Sequence, residues 1–543
     1  MGEGSHLINE RKRVLILGAG VMQGPALKIA AEMGLQVIAA DADSEAACVH
    51  LAGCFEKVDL KNREGIETLA RSLAKDTENG GLGGIMTAGT DFSASVAWAA
   101  EKLALPGIPF ESALDASDKE RMRLRFKKAG VPSPEFVIMK SAPETGSFLP
   151  FPWPAVVKPV DNMGSRGCRR VDNFTELKAA VTEALKYSRS GRAIVEEYME
   201  GPEFSVDALI YKGEITICGL ADRHIFFPPY FIEMGHTMPS AQDSGTIKLL
   251  LDAFCRGVKA LGITNGAAKG DIKMTPKGPM IGEIAARLSG GYMSGWTYPY
   301  SSGVLPTRGA IEIALGKKPS RLKPDWNWTS AERAFISIPG KVSSIEGAEK
   351  AKTMPFIKDV FMRIKPGSVV NFPENNVSKC GNIISAAASR DEAVLAAENA
   401  ARSVMIRLEA PNEETESFLS GFSEPTGKTA FPPDAFNINS RLFSLLSALP
   451  EGEPHSPFPI PHSLTPFPEF TESGQKDYMG RSIEECLNAV RYLTGLELQP
   501  GNPNAKPAGE NTSVLGRSFW KAFIRGGYQG AVYYIDSLRA KND

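Results

Sequence analysis

Apolar and polar positions alternate along the chain in two rhythms. Between residues 13 and 110, short apolar runs are separated by stretches in which apolar residues return every three or four positions. The runs predict strands at Val14–Leu17, Val37–Ala40 and Gly84–Met86. "GPALKIAAEMG" and "REGIETLARSLAKD" between them predict helices. Strand and helix in alternation imply an open, mostly parallel α/β layer. Pro106, Gly107 and Pro109 punctuate its end, so a first domain is expected over residues 1–117.

From Asp118 the rhythm changes. "DKERMRLRFKKAG" predicts an amphipathic basic helix, "WPAVVKPV" a strand and "TELKAAVTEALKYS" a helix. The stretch from Ala193 to Arg223 predicts a run of antiparallel strands. "TIKLLLDAFCRGVKALG" predicts another helix, and "NGAAKGDIKMTPKGPMIGEIAARLSGG" a hairpin turning at Pro276–Gly278. This unit, residues 118–330, is expected to be α+β. A third, 331–422, shows short strands and a closing helix over "RDEAVLAAENAARSVMIRLEA". Residues 423–543 begin a different texture: seven prolines from Pro450 to Pro468 predict an extended arm. The aromatic helical pattern "RSFWKAFIRGGYQGAVYYIDSLRAK" follows, rich enough to dock on another surface.

Composition narrows the classes. A chain of 543 residues exceeds one ordinary domain. Net charge is −2 with no basic block, which gives no electrostatic reason for a nucleic-acid or membrane partner. No apolar run approaches the roughly 18 residues of a membrane span, and the N-terminus lacks the apolar core of a signal peptide. Seven dispersed cysteines with no CxxC predict reduced thiols, a cytoplasmic location and no zinc site.

The first motif is Gly18, Gly20 and Gly24, a G-x-G-x-x-x-G turn followed by Asp41. A dinucleotide fingerprint needs its third glycine where Gln23 stands. NAD binding, as in an oxidoreductase, competes here with a plain strand-to-helix turn. Four further features lie downstream. Lys158 ends an apolar strand, where an ammonium is costly to desolvate without an anion. "DNMGSRG" follows, with Gly164 and Gly167 flanking Ser165 and Arg166, a loop able to close over phosphates. "IVEEYMEGPEFSVD" carries Glu196, Glu197, Met199 and Glu203 at a hinge suited to a purine edge and ribose hydroxyls. Asp271 and Glu283 lie 12 apart on two arms of a hairpin, a hard-oxygen pair suited to Mg²⁺ beside phosphates. Arg287, four residues on, is placed to meet developing negative charge.

Together these motifs, in this order and spacing, resemble the ATP-grasp ligases over residues 13 to about 410. The resemblance implies a Rossmann-like layer that does not bind NAD, a two-part grasp, a small closing domain and a C-terminal extension. It implies that Lys119 and Lys158 bind ATP phosphates and that Gly164, Ser165 and Gly167 form a mobile loop. Glu196, Glu197 and Met199 would meet adenine and Glu203 the ribose. Asp271 and Glu283 would hold Mg²⁺, with Mn²⁺ as a substitute, and Arg287 would act near an acyl phosphate. Many members read Glu-x-Asn-x-Arg at the second acid; here Ala285 takes the asparagine's place, so one metal ligand is missing.

The implied activity is ATP-dependent joining of a small-molecule carboxylate to an amine, releasing ADP and phosphate. Glycinamide-ribonucleotide and carbamoyl-phosphate types of enzyme are the nearest alternatives, and a nucleotide-binding protein without turnover is a third. "ADRHIFFPPYFIEMGHTMPS" is expected on the acceptor side, with Arg223, Glu233 and His236 toward substrate; a surface ion pair or a core histidine competes at each. Three roles are open for the proline arm and tail: covering the active site, holding a homodimer together, or docking a partner.

Overall fold

A computed structural model describes residues 13–144, 149–424, 430–449, 451, 463–464, 468–496 and 514–540. Most of the proline arm lies outside the described residues. The chain is mixed α/β and divides into two compact units.

The first unit holds residues 1–225, 235–332 and 386–390. It opens with parallel strands β1 (Arg13–Leu17), β2 (Gln36–Asp41), β3 (Cys54–Lys57) and β4 (Leu82–Met86), in sheet order β3-β2-β1-β4. Helices α1 (Gly24–Glu32), α2 (Arg63–Lys75) and α3 (Ser93–Lys102) alternate with them, as the apolar rhythm requires. All five β1 residues are buried, because helices cover both faces of a parallel sheet. The segment after Pro109 goes beyond punctuation: it forms a further helix, α4 (Phe110–Ser117). Next comes α5 (Lys119–Ala129), capped by Asp118, whose side chain accepts from Arg121 N–H at 3.1 Å, and ended by Gly130 in the left-handed region.

A four-stranded antiparallel sheet follows: β5 (Phe136–Met139), β6 (Ala155–Pro159), β7 (Arg169–Val171) and β8 (Ala193–Glu197), in order β5-β8-β6-β7, with α6 (Phe174–Tyr187) on one face. Four neighbouring strands of an eight-stranded sheet follow: β9 (Glu203–Tyr211), β10 (Glu214–Phe226) and, after α7 (Ser244–Ala260), β11 (Gly266–Thr275) and β12 (Gly278–Ala285). They pair antiparallel in the order β12-β11-β9-β10. The period of two sends alternate side chains to opposite faces. One face carries Phe204, Val206, Ala208, Ile272, Ile281 and Ile284 into a core with Leu250, Phe254 and Val258 of α7. Each of the larger side chains contributes about 1.5–3 kcal/mol on burial. Gly270 is required there, since a Cβ would lie 2.5 Å from the Phe254 ring. Among the described residues, no helix is long and apolar enough to cross a membrane.

The second unit holds residues 226–234, 333–385 and 391–543. Here the expected closing helix is corrected. It runs only over Arg390–Ser403, and Met405–Leu408 is a strand paired antiparallel with Gly340–Glu346. Val404, Ile406 and Leu408 are buried while Met405 and Arg407 are less so, and this alternation ends the helix. The aromatic tail docks within its own unit. Helix Arg517–Ala540 places Phe519, Trp520, Phe523 and Ile524 in one core with residues of Ser440–Ala448 and Ile483–Thr494. Ser482 and Glu485 cap the last of these reciprocally.

Candidate functional site

The second face of the large sheet is a grid of charges. Strand register sets Ala285, Lys269, Asp207 and Gly219 in one row, and Glu283, Asp271, Ser205 and Ala221 in the next. Lys273, Glu203 and Arg223 form a third. Asp271 and Glu283 are therefore direct cross-strand neighbours on one face. A bulge makes this possible. Thr275 pairs with Gly278 and Ile272 with Ile281, yet Asp271 pairs with Glu283, leaving Gly282 as an extra residue. The bulge turns Ile281 into the core and Glu283 to the opposite face.

Cations surround the two acids. Lys119 Nζ lies 3.3 Å from Glu283 and donates to the Asn162 carbonyl at 2.9 Å. Arg223 lies 3.0 Å from Asp271 Oδ1, Ser205 Oγ donates to the same oxygen at 3.2 Å, and Lys269 pairs with Oδ2. The Glu283 side chain keeps 34 % exposure, yet burial still works against its charge. The charges of Lys119, Lys269, Arg287 and Lys158 outweigh that burial and hold its carboxyl down at about 2.

Lys158 Nζ is fixed by Glu196 at 2.8 Å. Glu196 is 1 % exposed and also accepts from Arg123 Nε at 2.7 Å. Burial opposes the charge on each partner, but the pairing wins: the Glu196 pKa is lowered and the Lys158 pKa raised. The Glu196 carboxylate is thus committed inside the protein, and what it lends the site is the orientation of Lys158. Arg123 also donates to the Gly282 carbonyl, tying α5 to the bulge.

The remaining expected residues fall out as follows. Lys119 N–H donates to the Val160 carbonyl at 2.9 Å, setting the head of α5 beside the end of β6. Gly164, Ser165 and Gly167 all have positive φ, and Asp161 anchors the loop base by accepting from Arg189 and Ser190 N–H at 3.0 and 2.8 Å. Glu197 pairs with Lys277 on the β11–β12 turn. The end of the Met199 side chain would lie 3.4 Å from a Cβ on Gly282, next to Glu283. Glu203 pairs with Arg223 and lies 3.7 Å from Lys273. Arg287 donates through Nε to the Thr90 carbonyl at 3.1 Å, which fastens it to the loop after β4.

Of the three residues expected toward substrate, only Arg223 joins the charged grid. His236 is fully buried, 2.8 Å from Thr297 Oγ1 and 3.3 Å from Glu332, and is a core histidine. Glu233 belongs to the second unit, where its carbonyl accepts from Lys379 Nζ at 2.7 Å. The opening glycine turn is self-satisfied: Asp41 accepts from Ala19 N–H at 2.8 Å and Gln23 from Gly20 N–H at 3.1 Å. These amides and Asp41 are committed to one another, as a structural turn demands.

Sequence reasoning missed Arg123, Ser205, Asp207, Lys269 and Lys273. All but Arg123 alternate along β9 and β11, so the period of two in "EFSVD" and "KGDIK" was the available signal. Asp207 is fully buried and accepts from Ser289 N–H at 3.1 Å and from its hydroxyl. Burial raises its carboxyl to about 6, against those hydrogen bonds and the charges of Lys269 and Arg287.

Among the described residues, no three His, Cys, Asp or Glu side chains are grouped to hold a metal by themselves. Two adjacent carboxylates are the donor set Mg²⁺ uses when phosphates and water complete its shell, so Asp271 and Glu283 fit that ion.

Residues 151–295 match the ATP-grasp domain model. Residues 334–409 match the L-amino acid ligase C-terminal domain 2. The solved L-amino acid ligase from Bacillus licheniformis shares the fold, with a TM-score of 0.66 and 21 % identity, covering 74 % of this chain and 99 % of that one. The uncharacterized protein y4rH of Sinorhizobium fredii is 24 % identical over 64 % of this chain and 72 % of its own length. Carnosine synthase 1 of Gallus gallus is 25 % identical over 58 % of this chain, and the match spans 36 % of its length.

Proposed function

We propose that the protein is an ATP-dependent ligase that joins a small-molecule carboxylate to an amine through an acyl phosphate, releasing ADP and phosphate. The observation that carries this is the paired Asp271 and Glu283, with three cations, Lys119, Arg223 and Lys269, in contact with them. Two acids ringed by three cations suit a metal ion together with the oxygens of a triphosphate. A carboxylate is a poor electrophile because its leaving group would be oxide; phosphorylation by ATP supplies a better one. Mg²⁺, when bound, neutralises charge on the phosphates.

The protein's share is alignment and charge neutralisation. Lys119 and Lys158 hold phosphate oxygens, the latter oriented by Glu196. Gly164–Gly167 closes over them with backbone N–H groups. Glu197 and Met199 border the adenine and Glu203 the ribose. Asp271 and Glu283 hold the metal, and Arg287, fastened at Thr90, meets the negative charge of the transferring group and of the tetrahedral intermediate. The names of the matching C-terminal domain and of the L-amino acid ligase favour amino acids as substrates.

The test is a thermal-shift series with Mg-ATP, ADP and NADH, followed by a screen of amino-acid pairs for ADP release. A shift with Mg-ATP and ADP release on at least one pair is expected. A response to NADH alone, or tight ATP binding with no turnover on any carboxylate–amine pair, would overturn the proposal.

A further inference from the structure

Among the grid cations given no part so far in holding substrate is Lys269. Lys269 is the cross-strand neighbour of Asp207 on one side and of Ala285 on the other. Its ammonium contacts Asp271 Oδ2, and its charge acts on Asp207 and Glu283 as well. It thus touches one carboxylate, Asp271, and is the cross-strand neighbour of a second, Asp207. Ala285, beside it, offers no side-chain donor atom.

The chemistry of these groups decides how many ions fit. A divalent ion of the Mg²⁺ type takes oxygen donors in a near-octahedral shell and keeps few protein ligands. Glu283 and Asp271 can share one such ion with phosphate oxygens. A second ion on the Ala285 side would lie against a fixed ammonium and would lose the ligand that side lacks. We propose that Lys269 stands in for a second metal ion, supplying a permanent positive charge at that place, so that the nucleotide-loaded protein holds one divalent ion. This rests on the nucleotide function proposed above.

Lys269 acts as a positioning residue through its contact with Asp271. It is a charge that needs no metal to arrive and does not exchange with solvent ions. Removing the ammonium and restoring an oxygen donor opposite it re-creates a second ion's coordination on the same strands.

The test counts ions, with Mn²⁺ as the probe, by electron paramagnetic resonance on the full chain. Titrations run with and without saturating β,γ-methylene-ATP, whose own binding is followed separately. One Mn²⁺ per nucleotide-bound chain is expected for the wild type. The double variant Lys269→Met/Ala285→Asn is expected to bind two, while Ala285→Asn alone stays at one because the ammonium remains. Two ions in the nucleotide-bound wild type would overturn this inference and leave the ligase proposal standing. A double variant that is folded by circular dichroism and still binds one ion would do the same. Failure of the wild type to bind the analogue would overturn both.

Discussion

Two clusters of buried and half-buried charge in this molecule differ in their balance. On and around the grasp sheet, Lys119, Arg123, Lys158, Arg223, Lys269, Lys273 and Arg287 lie with Glu196, Glu203, Asp207, Asp271 and Glu283, with Asp207 pushed toward its neutral form. In the C-terminal unit three arginines pair with three aspartates one for one. Arg481 pairs with Asp477 at 3.4 Å, Arg525 with Asp434 at 2.8 Å and Arg407 with Asp536 at 2.6 Å. The remaining Arg481 donors go to the carbonyls of Arg402 and Val404, and its guanidinium lies 4.8 Å from the Tyr528 ring. A matched cluster is complete without a ligand and belongs to the architecture. An unmatched one is complete only when an anion arrives.

That contrast is broken most directly at Glu283. Glu283→Ala removes one of the two carboxylates proposed to hold the metal, at a position with 34 % exposure. Turnover should fall about a thousandfold or more, about 4 kcal/mol in the barrier, in a chain that stays folded by circular dichroism while losing some stability with the Lys119 contact. Near-wild-type turnover would remove this residue from the metal site. Arg481→Met is the mirror experiment. It strands Asp477 inside the C-terminal core, and the expected loss is about 3 kcal/mol of stability, the low end for a broken buried pair because Cys486 and backbone N–H groups still reach the carboxylate. Chemical denaturation should show that loss while the KM for ATP stays fixed. A shifted KM with unchanged stability would reverse the assignment of the two clusters.

The charge balance itself was not legible in the amino-acid sequence, although much of what frames it was. The α/β rhythm gave the opening sheet and the hairpin around Pro276–Lys277, and the order of Lys158, the glycine loop and the paired acids located the candidate site. The shared face of Asp271 and Glu283, however, does not follow from their spacing. With Thr275 opposite Gly278, a regular hairpin pairs Asp271 with Gly282 and sends Glu283 to the core side; only the bulge restores it. Long-range pairing was equally hidden. Glu196 reads as a hinge residue, yet Arg123, 73 positions away, draws it inside. Val404–Leu408 reads as the end of a helix because helical and strand periods overlap over so short a run, and only Gly340–Glu346 beside it selects the strand.

A smaller effect separates the clusters by pH. Asp207 ionises near 3.8 when exposed and at about 6 in the folded protein. The raised value means that the native state holds the proton more tightly than the unfolded chain. The unfolded chain gains by ionising as pH rises from about 4 to about 6, so this residue lowers stability across that window and costs its full amount above it. The groups that face it are Lys269, Arg287, Ser289, Tyr298 and Cys218. Asp207→Asn does not titrate. It should gain about 2 kcal/mol relative to wild type between pH 4 and pH 7, read from denaturant midpoints at four pH values. A difference that stays flat would mean that Asp207 is already ionised at pH 4.

The finest test lies in the C-terminal core, where backbone and packing costs can be separated within one helix. Gly527 interrupts Arg517–Ala540 with φ 60° and ψ −148°, a conformation that glycine alone adopts readily. A Cβ there would meet nothing closer than the Ala435 methyl at 3.5 Å, an ordinary contact. Gly527→Ala should therefore cost only the backbone strain, about 1 kcal/mol, or a fall of a few degrees in the melting temperature. Three residues on, a Cβ at Gly530 would lie 2.1 Å from the Ala522 carbonyl oxygen, so Gly530→Ala must also push the two backbones apart and should cost clearly more. Because the kink carries the chain past Asp477, whose Cβ lies 3.7 Å from the built methyl, straightening it would disturb the Arg481 pair. A loss at Gly527 as large as that of Arg481→Met would show that the kink and the matched ion pair form one cooperative unit.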